Sequence, residues 1–204
     1  MLDRKKKNIV ELTRCSVEEY RGMSKLPLML LTDNVRSMHN IGSLFRTSDA
    51  FRVSEILLGG ISGCPPHPEI SKTALGAEES VCWRHVDDSY QEAKNLQAQG
   101  WRVCVLEQTH NSIMLQDFHI NSNKKEKREG EEGEEREERE EKYLLVVGNE
   151  VEGVDQRIVD IADYVLEIPQ EGTKHSLNVS ASAAIALFQL YIQLKQNSRF
   201  STKV

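Results

Sequence analysis

The stretch Leu144-Leu145-Val146-Val147-Gly148-Asn149-Glu150-Val151-Glu152-Gly153-Val154 runs from four apolar residues directly into a polar loop that carries glycine. A short apolar run that is continuous rather than alternating reads as a strand buried on both faces. Similar runs occur at 28–31, 56–58, 103–106 and 165–168, each ending near Gly, Pro or polar residues. Helical segments fall between them. Ser16-Val17-Glu18-Glu19 and Ser89-Tyr90-Gln91-Glu92 both fit the capping box, a hydroxyl residue followed three later by Glu. The first helix is expected to close near Gly22 and the second to run to about Gln99, before Gly100. The resulting β-α-β-α-β order predicts an α/β fold, a parallel sheet with helices on both faces. Ligands of such folds sit beyond the carboxyl ends of the strands.

A last helix is expected from near Asn178 to about Lys195. Its segment 183–192, AAIALFQLYI, is apolar nearly all round. Such a helix is buried in a core or in a subunit interface.

The chain has 204 residues, 39% hydrophobic and 28% charged, which suits one domain with a sizeable core. No apolar run approaches the roughly 20 residues of a membrane helix, and the basic start MLDRKKK is followed by no apolar signal region. A cytoplasmic location is expected. Cys15, Cys64, Cys82 and Cys104 lie far apart without a C-x-x-C pair, so free buried thiols are expected and no metal site. The net charge of −6 is unevenly spread. Residues 124–142 hold 10 Glu against 7 Lys and Arg, whereas residues 1–25 hold 7 Lys and Arg against 4 Asp and Glu. A local basic patch matters more for phosphate binding than the whole-chain sum. The low-complexity acidic segment 123–142 reads as an insertion without catalytic function, since it offers no apolar residue to bury.

Three segments carry chemistry. In Asn40-Ile41-Gly42-Ser43-Leu44-Phe45-Arg46, Asn40 and Gly42 stand where a helix can begin, and Arg46 is expected about one turn inside it. A cation near a helix N-terminus gains nothing from the dipole, which points to a task, although an ordinary surface Arg reads the same way. In the opening stretch, Gly148 permits a ligand to approach the backbone closely, and Asp155 can cap the following helix. In 168–182, IPQEGTKHSLNVSAS, a strand end passes through a polar loop to a helix start, where Ser176 and Asn178 supply hydrogen-bonding groups or serve as caps.

Together and in this order, Asn40 with Arg46, GNEVEG at 148–153 and SLNVSASAA at 176–184 resemble the three motifs of the SpoU (TrmH-like) RNA 2′-O-ribose methyltransferases, of the SPOUT superfamily. The resemblance covers 28–194. It implies a SPOUT-type parallel sheet whose C-terminal segment forms a trefoil knot, with residues 26–197 as the methyltransferase domain behind a short helical extension, 1–25. It implies S-adenosyl-L-methionine as cofactor, bound at Leu106, Gly148, Asn149, Ile168, Gln170 and Leu177. It also implies a catalytic set of Asn40, Arg46, Glu150, Ser176 and Asn178, a transfer or ribosomal RNA substrate, and a homodimer with the active site near the interface. Two alternatives are an RNA-binding member of the same fold without activity, and a small-molecule-binding α/β protein.

Overall fold

The computed structural model describes residues 5–8, 11–12, 14–120 and 141–197. Most of the acidic segment 123–142 therefore lies outside the described residues. Seven strands form one sheet: β1 (Leu28–Asp33), β2 (Glu55–Gly59), β3 (Trp83–Val86), β4 (Trp101–Leu106), β5 (Ile113–Met114), β6 (Lys142–Val147) and β7 (Tyr164–Glu167). Their order is β3-β2-β1-β6-β4-β7-β5 and every pairing is parallel. The five expected runs are five of these strands. The apolar run at 144–147 belongs to the middle strand, with Val146 opposite Leu31 on one side and Val105 on the other.

Two cores explain why that run has no polar alternation. Tyr143, Leu145 and Val147 enter one core with Ile41, Leu44 and Phe45 of α2 (Met38–Ala50) and Leu187 and Leu190 of α7 (Val179–Asn197). Leu144 and Val146 enter the other with Ala93 and Leu96 of α5 (Ser89–Ala98) and Ile158 of α6 (Gln156–Ile161). Helices thus cover both faces, as the order of elements required. α3 (Pro68–Ala74) and α4 (Ala77–Ser80) complete the α2 side. There α1 (Val17–Gly22) docks through buried Tyr20, whose hydroxyl donates to the Asp49 carbonyl at 3.0 Å.

The chain lays β1, β2 and β3 outward in one direction, then crosses to begin β4. β6 is inserted between β1 and β4, and β7 between β4 and β5. The loops after β1, β4, β6 and β7 consequently meet at the carboxyl ends of the inner strands, the place where strand order reverses and ligands bind.

Several local expectations need correction. The α1 capping box forms as read, but α5 is capped by Asp88, whose carboxylate accepts from the Gln91 amide at 3.1 Å. Ser89 is the first helical residue instead and is buried. α2 opens at Ser37, not at Asn40 or Gly42, which places Arg46 nine residues into the helix rather than one turn. Only Cys104 is buried, Cys64 being intermediate and Cys15 and Cys82 exposed. Cys15 lies ahead of the α1 cap and Cys82 directly before β3, outside both cores. Among the described residues no helix is long and apolar enough to cross a membrane, and no group of three or more His, Cys, Asp or Glu could hold a metal ion.

Candidate active site

The loop after β6 folds back on itself. Asn149 and Gly153 exchange backbone hydrogen bonds at 2.9 and 3.1 Å, and the Asn149 side-chain oxygen accepts from the Val151 amide at 2.8 Å. A Cβ on Gly148 would lie 2.1 Å from the Gly153 carbonyl carbon and 2.3 Å from the Val154 nitrogen. On the side a Cβ would occupy, the chain itself approaches Gly148 closely, and this fixes the loop's shape. The Asn149 side-chain amide donates to the Asn34 carbonyl at 2.9 Å, joining this loop to the one after β1. Buried Asp33 accepts from the Asp155 amide at 2.9 Å and seats the start of α6. Asp155 in turn caps α6 through the Arg157 amide, as expected.

This arrangement aims Glu150 at the start of α2. Its carboxylate accepts from the Arg36 amide at 3.2 Å, the Ser37 amide at 3.1 Å and the Asn40 side-chain amide at 3.0 Å. A carboxylate at a helix N-terminus satisfies otherwise orphaned donors and complements the dipole. Partial burial pushes the Glu150 pKa up, but the hydrogen bonds from Asn40 and from the backbone, including Ser37 and Arg36, outweigh it, so the carboxyl is held below the ordinary glutamate value.

The Asn178 side-chain amide donates to the Asn40 side-chain oxygen at 3.0 Å. Asn178 also caps α7, its oxygen accepting from the Ser180 amide at 3.0 Å and the Ser180 hydroxyl at 2.7 Å. Residues 40, 150 and 178, one from each motif, thus form one hydrogen-bonded chain.

Beside it lies a cavity of about 530 Å³, lined by all six expected cofactor positions (Leu106, Gly148, Asn149, Ile168, Gln170 and Leu177) together with Glu150, Ser176 and Asn178. The size suits a small-molecule ligand. Glu107 and Gln108 line it as well and were not singled out in the sequence. Their signal was available: they are the polar residues directly after a buried strand, at the carboxyl end where ligands bind. Asn40 adjoins the cavity through its two partners. Arg46 does neither: it is exposed, lies outside the lining, and among the described residues has no hydrogen bond or ion pair.

A parallel α/β sheet with two late-inserted strands, a cavity at their carboxyl ends and three motif loops converging on it defines the class of this protein. The chain belongs to the SpoU rRNA Methylase family, whose model matches residues 27–188. It is 26% identical over 181 residues to the 23S rRNA (guanosine-2′-O-)-methyltransferase RlmB of Vibrio parahaemolyticus, a match covering 88% of this chain and 64% of that protein's length. It is likewise 26% identical over 174 residues to the tRNA (guanosine(18)-2′-O)-methyltransferase of Aquifex aeolicus, covering 85% of this chain and 73% of the relative. The solved TrmH/SpoU tRNA modifying enzyme of A. aeolicus shares the fold, with a TM-score of 0.71 at 24% identity over 88% of this chain and 81% of that one. An AdoMet-bound rRNA methyltransferase of Sinorhizobium meliloti shares it with a TM-score of 0.67 at 22% identity, over 83% of this chain and 58% of that one.

Proposed function

We propose that this chain is an RNA methyltransferase that moves a methyl group from S-adenosylmethionine to a ribose 2′-hydroxyl of transfer or ribosomal RNA. The observation that carries the reading is the Asn178–Asn40–Glu150 chain at the rim of the cavity. The lining fits the cofactor. Leu106, Ile168 and Leu177 offer apolar surface for a base, and Glu107, Glu150, Glu152 and Glu167 face the cavity with no Lys or Arg among its described lining, which suits a cation. When bound, S-adenosylmethionine supplies an electrophilic methyl group on a sulfonium.

The protein's part is to hold and polarise the acceptor. A ribose hydroxyl is a poor nucleophile until its proton leaves or the developing oxyanion is stabilised. A guanidinium is a donor without an acceptor, so the role of Arg46 is fixed positive charge beside the 2′-oxygen and the adjacent phosphate, with the hydroxyl proton leaving to phosphate or water. Glu150 and Asn40 hold the start of the helix that carries Arg46 and orient the ribose. Ser176 and Asn178 order the loop beside the methyl group.

Arg46 does not line the cavity of its own protomer, and this favours a homodimer in which it serves the partner's cavity. The outer face of α7 supports that assembly: Ile185 is 45% and Phe188 51% exposed, and Phe188 lies 5.8 Å, ring to ring, from Phe51 at the end of α2. Ser182, one turn before Ile185, lines the cavity, so a second copy on this face would also wall the site. The remaining parts of the reading are the trefoil knot, formed where the segment after β7 reaches α7, a domain spanning 26–197 with the 1–25 extension gripping RNA through exposed Lys5, Lys6 and Lys7, and a cytoplasmic location without metal.

Transfer of radiolabelled methyl from S-adenosylmethionine to bulk RNA tests the activity, and ribose-methylation mapping of a deletion strain against its parent identifies the nucleotide. RNA binding without any transfer would favour the inactive RNA-binding alternative. Binding that is weak and insensitive to salt would remove RNA from the reading altogether, because phosphate contacts give a steep salt dependence.

A further inference from the structure

Residues 169–178, between β7 and α7, are exposed throughout, yet Gln170, Ser176 and Leu177 line the cavity. At the far end the loop is fixed by the Asn178–Asn40 bond. Among the described residues, a single hydrogen bond reaches 169–177 from the rest of the fold: the Gln108 side-chain amide donates to the His175 carbonyl at 2.9 Å. Gln108 is well placed to hold something else still. It follows central strand β4 by two residues, the Glu107 amide donates to the Leu166 carbonyl at 3.0 Å, and the far end of the same loop is tied by a hydrogen bond from the Ser112 hydroxyl to the Glu167 carboxylate.

We infer that Gln108 is a positioning residue, a clasp that holds the loop after β7 over the cavity and so sets affinity for the methyl donor. The inference rests on the cavity being the cofactor pocket. Its acceptor is a backbone carbonyl, so the clasp depends on a donor at position 108 and not on the imidazole of residue 175. A carboxylate at 108 would face that carbonyl with acceptors only, whereas an ammonium restores a donor.

The test uses the full chain as native protein and as Q108A, Q108E and Q108K. Trypsin nicking after exposed Lys174 reads the loop directly, without cofactor or RNA. The cut after Lys174, followed by fragment mass because Q108K adds a trypsin site at exposed position 108, is expected to run roughly five-fold faster in Q108A and Q108E, the order of one net hydrogen bond, and close to the native rate in Q108K. The KM for S-adenosylmethionine is expected to rise in Q108A, with kcat changed less than about two-fold and the thermal midpoint unmoved; Q108E and Q108K are read by nicking alone, because a charge at 108 acts directly on a cation in the cavity that Gln108 lines. Equal nicking and equal KM in Q108A, native behaviour in Q108E, or a fall in thermal midpoint that accounts for every change would each overturn the inference. If the native protein binds no S-adenosylmethionine while the nicking pattern holds, the cofactor reading fails and the clasp stands as a loop device alone.

Discussion

The side-chain amide of Asn178 donates to the side-chain oxygen of Asn40 at 3.0 Å, across 138 residues of sequence. The direction of that bond is forced. The ionised carboxylate of Glu150 can only accept, so Asn40 must turn its NH2 toward it and its oxygen toward Asn178. Asn178 must then turn its own NH2 to Asn40, leaving its oxygen for the first amides of α7. One carboxylate thereby sets the orientation of two amides and the start of two helices.

Asn178→Asp separates the two jobs of that side chain. It keeps the acceptor that caps α7 but has no donor for Asn40. Stability is expected to stay within about 0.5 kcal/mol of native, whereas Asn178→Ala should lose about 1 kcal/mol with the cap. Both variants should lose methyl transfer by about ten-fold or more. Urea unfolding beside single-turnover transfer measures the split, and an Asp variant with native activity would show that the link to Asn40 is idle.

Glu150 makes the protein's stability depend on pH in a defined direction. Its folded pKa lies below the ordinary glutamate value, so the unfolded chain takes up the proton first. The contribution is present above the unfolded value, about 4.3, and is lost as pH falls through the lowered folded value. The urea midpoint of Glu150→Gln should lie below native at pH 7, with the gap closing below about pH 4. A gap constant from pH 7 to pH 3 would contradict this.

Gly148→Ala is expected to destabilise by about 2–3 kcal/mol or more. Its Cβ would meet backbone atoms of Gly153 and Val154, which cannot rotate away. Gly22→Ala, where nothing lies within 4 Å of the added Cβ, should be neutral or slightly stabilising. Thermal unfolding of the pair is the comparison, and similar midpoints for both variants would show that the loop can open.

Arg46→Ala should lower kcat by about 10²–10³ while leaving cofactor binding within about two-fold, as loss of one charge-stabilising donor does. Because Arg46 is assigned to the partner's cavity, mixing R46A with the N178A variant should recover about one quarter of native activity, from mixed dimers with one intact site. No recovery on mixing would place Arg46 in its own protomer's site.

The double variant Ile185→Asp with Phe188→Asp should be a folded monomer by analytical ultracentrifugation. These side chains are about half exposed on α7, so the intramolecular packing lost is partial and centres on the Phe188–Phe51 ring contact. Methyl transfer is expected to fall at least as far as in R46A, and a dimer that persists would move the interface elsewhere.

Of the strands that the sequence revealed, β1, β2, β4 and β6 are buried on both faces, and β7, with only Leu166 buried, was legible from its apolar run. β3 and β5 escaped notice because they are the two edges of the sheet. β3 reads Trp83-Arg84-His85-Val86 with one buried residue, and β5 has only two residues. The start of α2 escaped for a different reason. Its local signal was the Ser37 hydroxyl, which accepts from the Asn40 amide at 3.3 Å, while the amides of Arg36 and Ser37 just ahead of the helix are satisfied by Glu150, more than 110 positions away, and no local pattern records that partner.

Local chemistry alone determined which segments would be strands and which loops would bear polar groups, because burial periodicity and capping act over a few residues; residues 40, 150 and 178 were marked out by the resemblance of their three segments to the family's motifs. Only the tertiary structure decided that these three would touch, that Gly148 serves the chain's own close approach, that Gln108 reaches His175, and that Arg46 stands apart from its own cavity. Those outcomes follow from inserting β6 and β7 between strands already laid down. Strand order is a matter of long-range packing, on which a residue's immediate neighbours have no bearing.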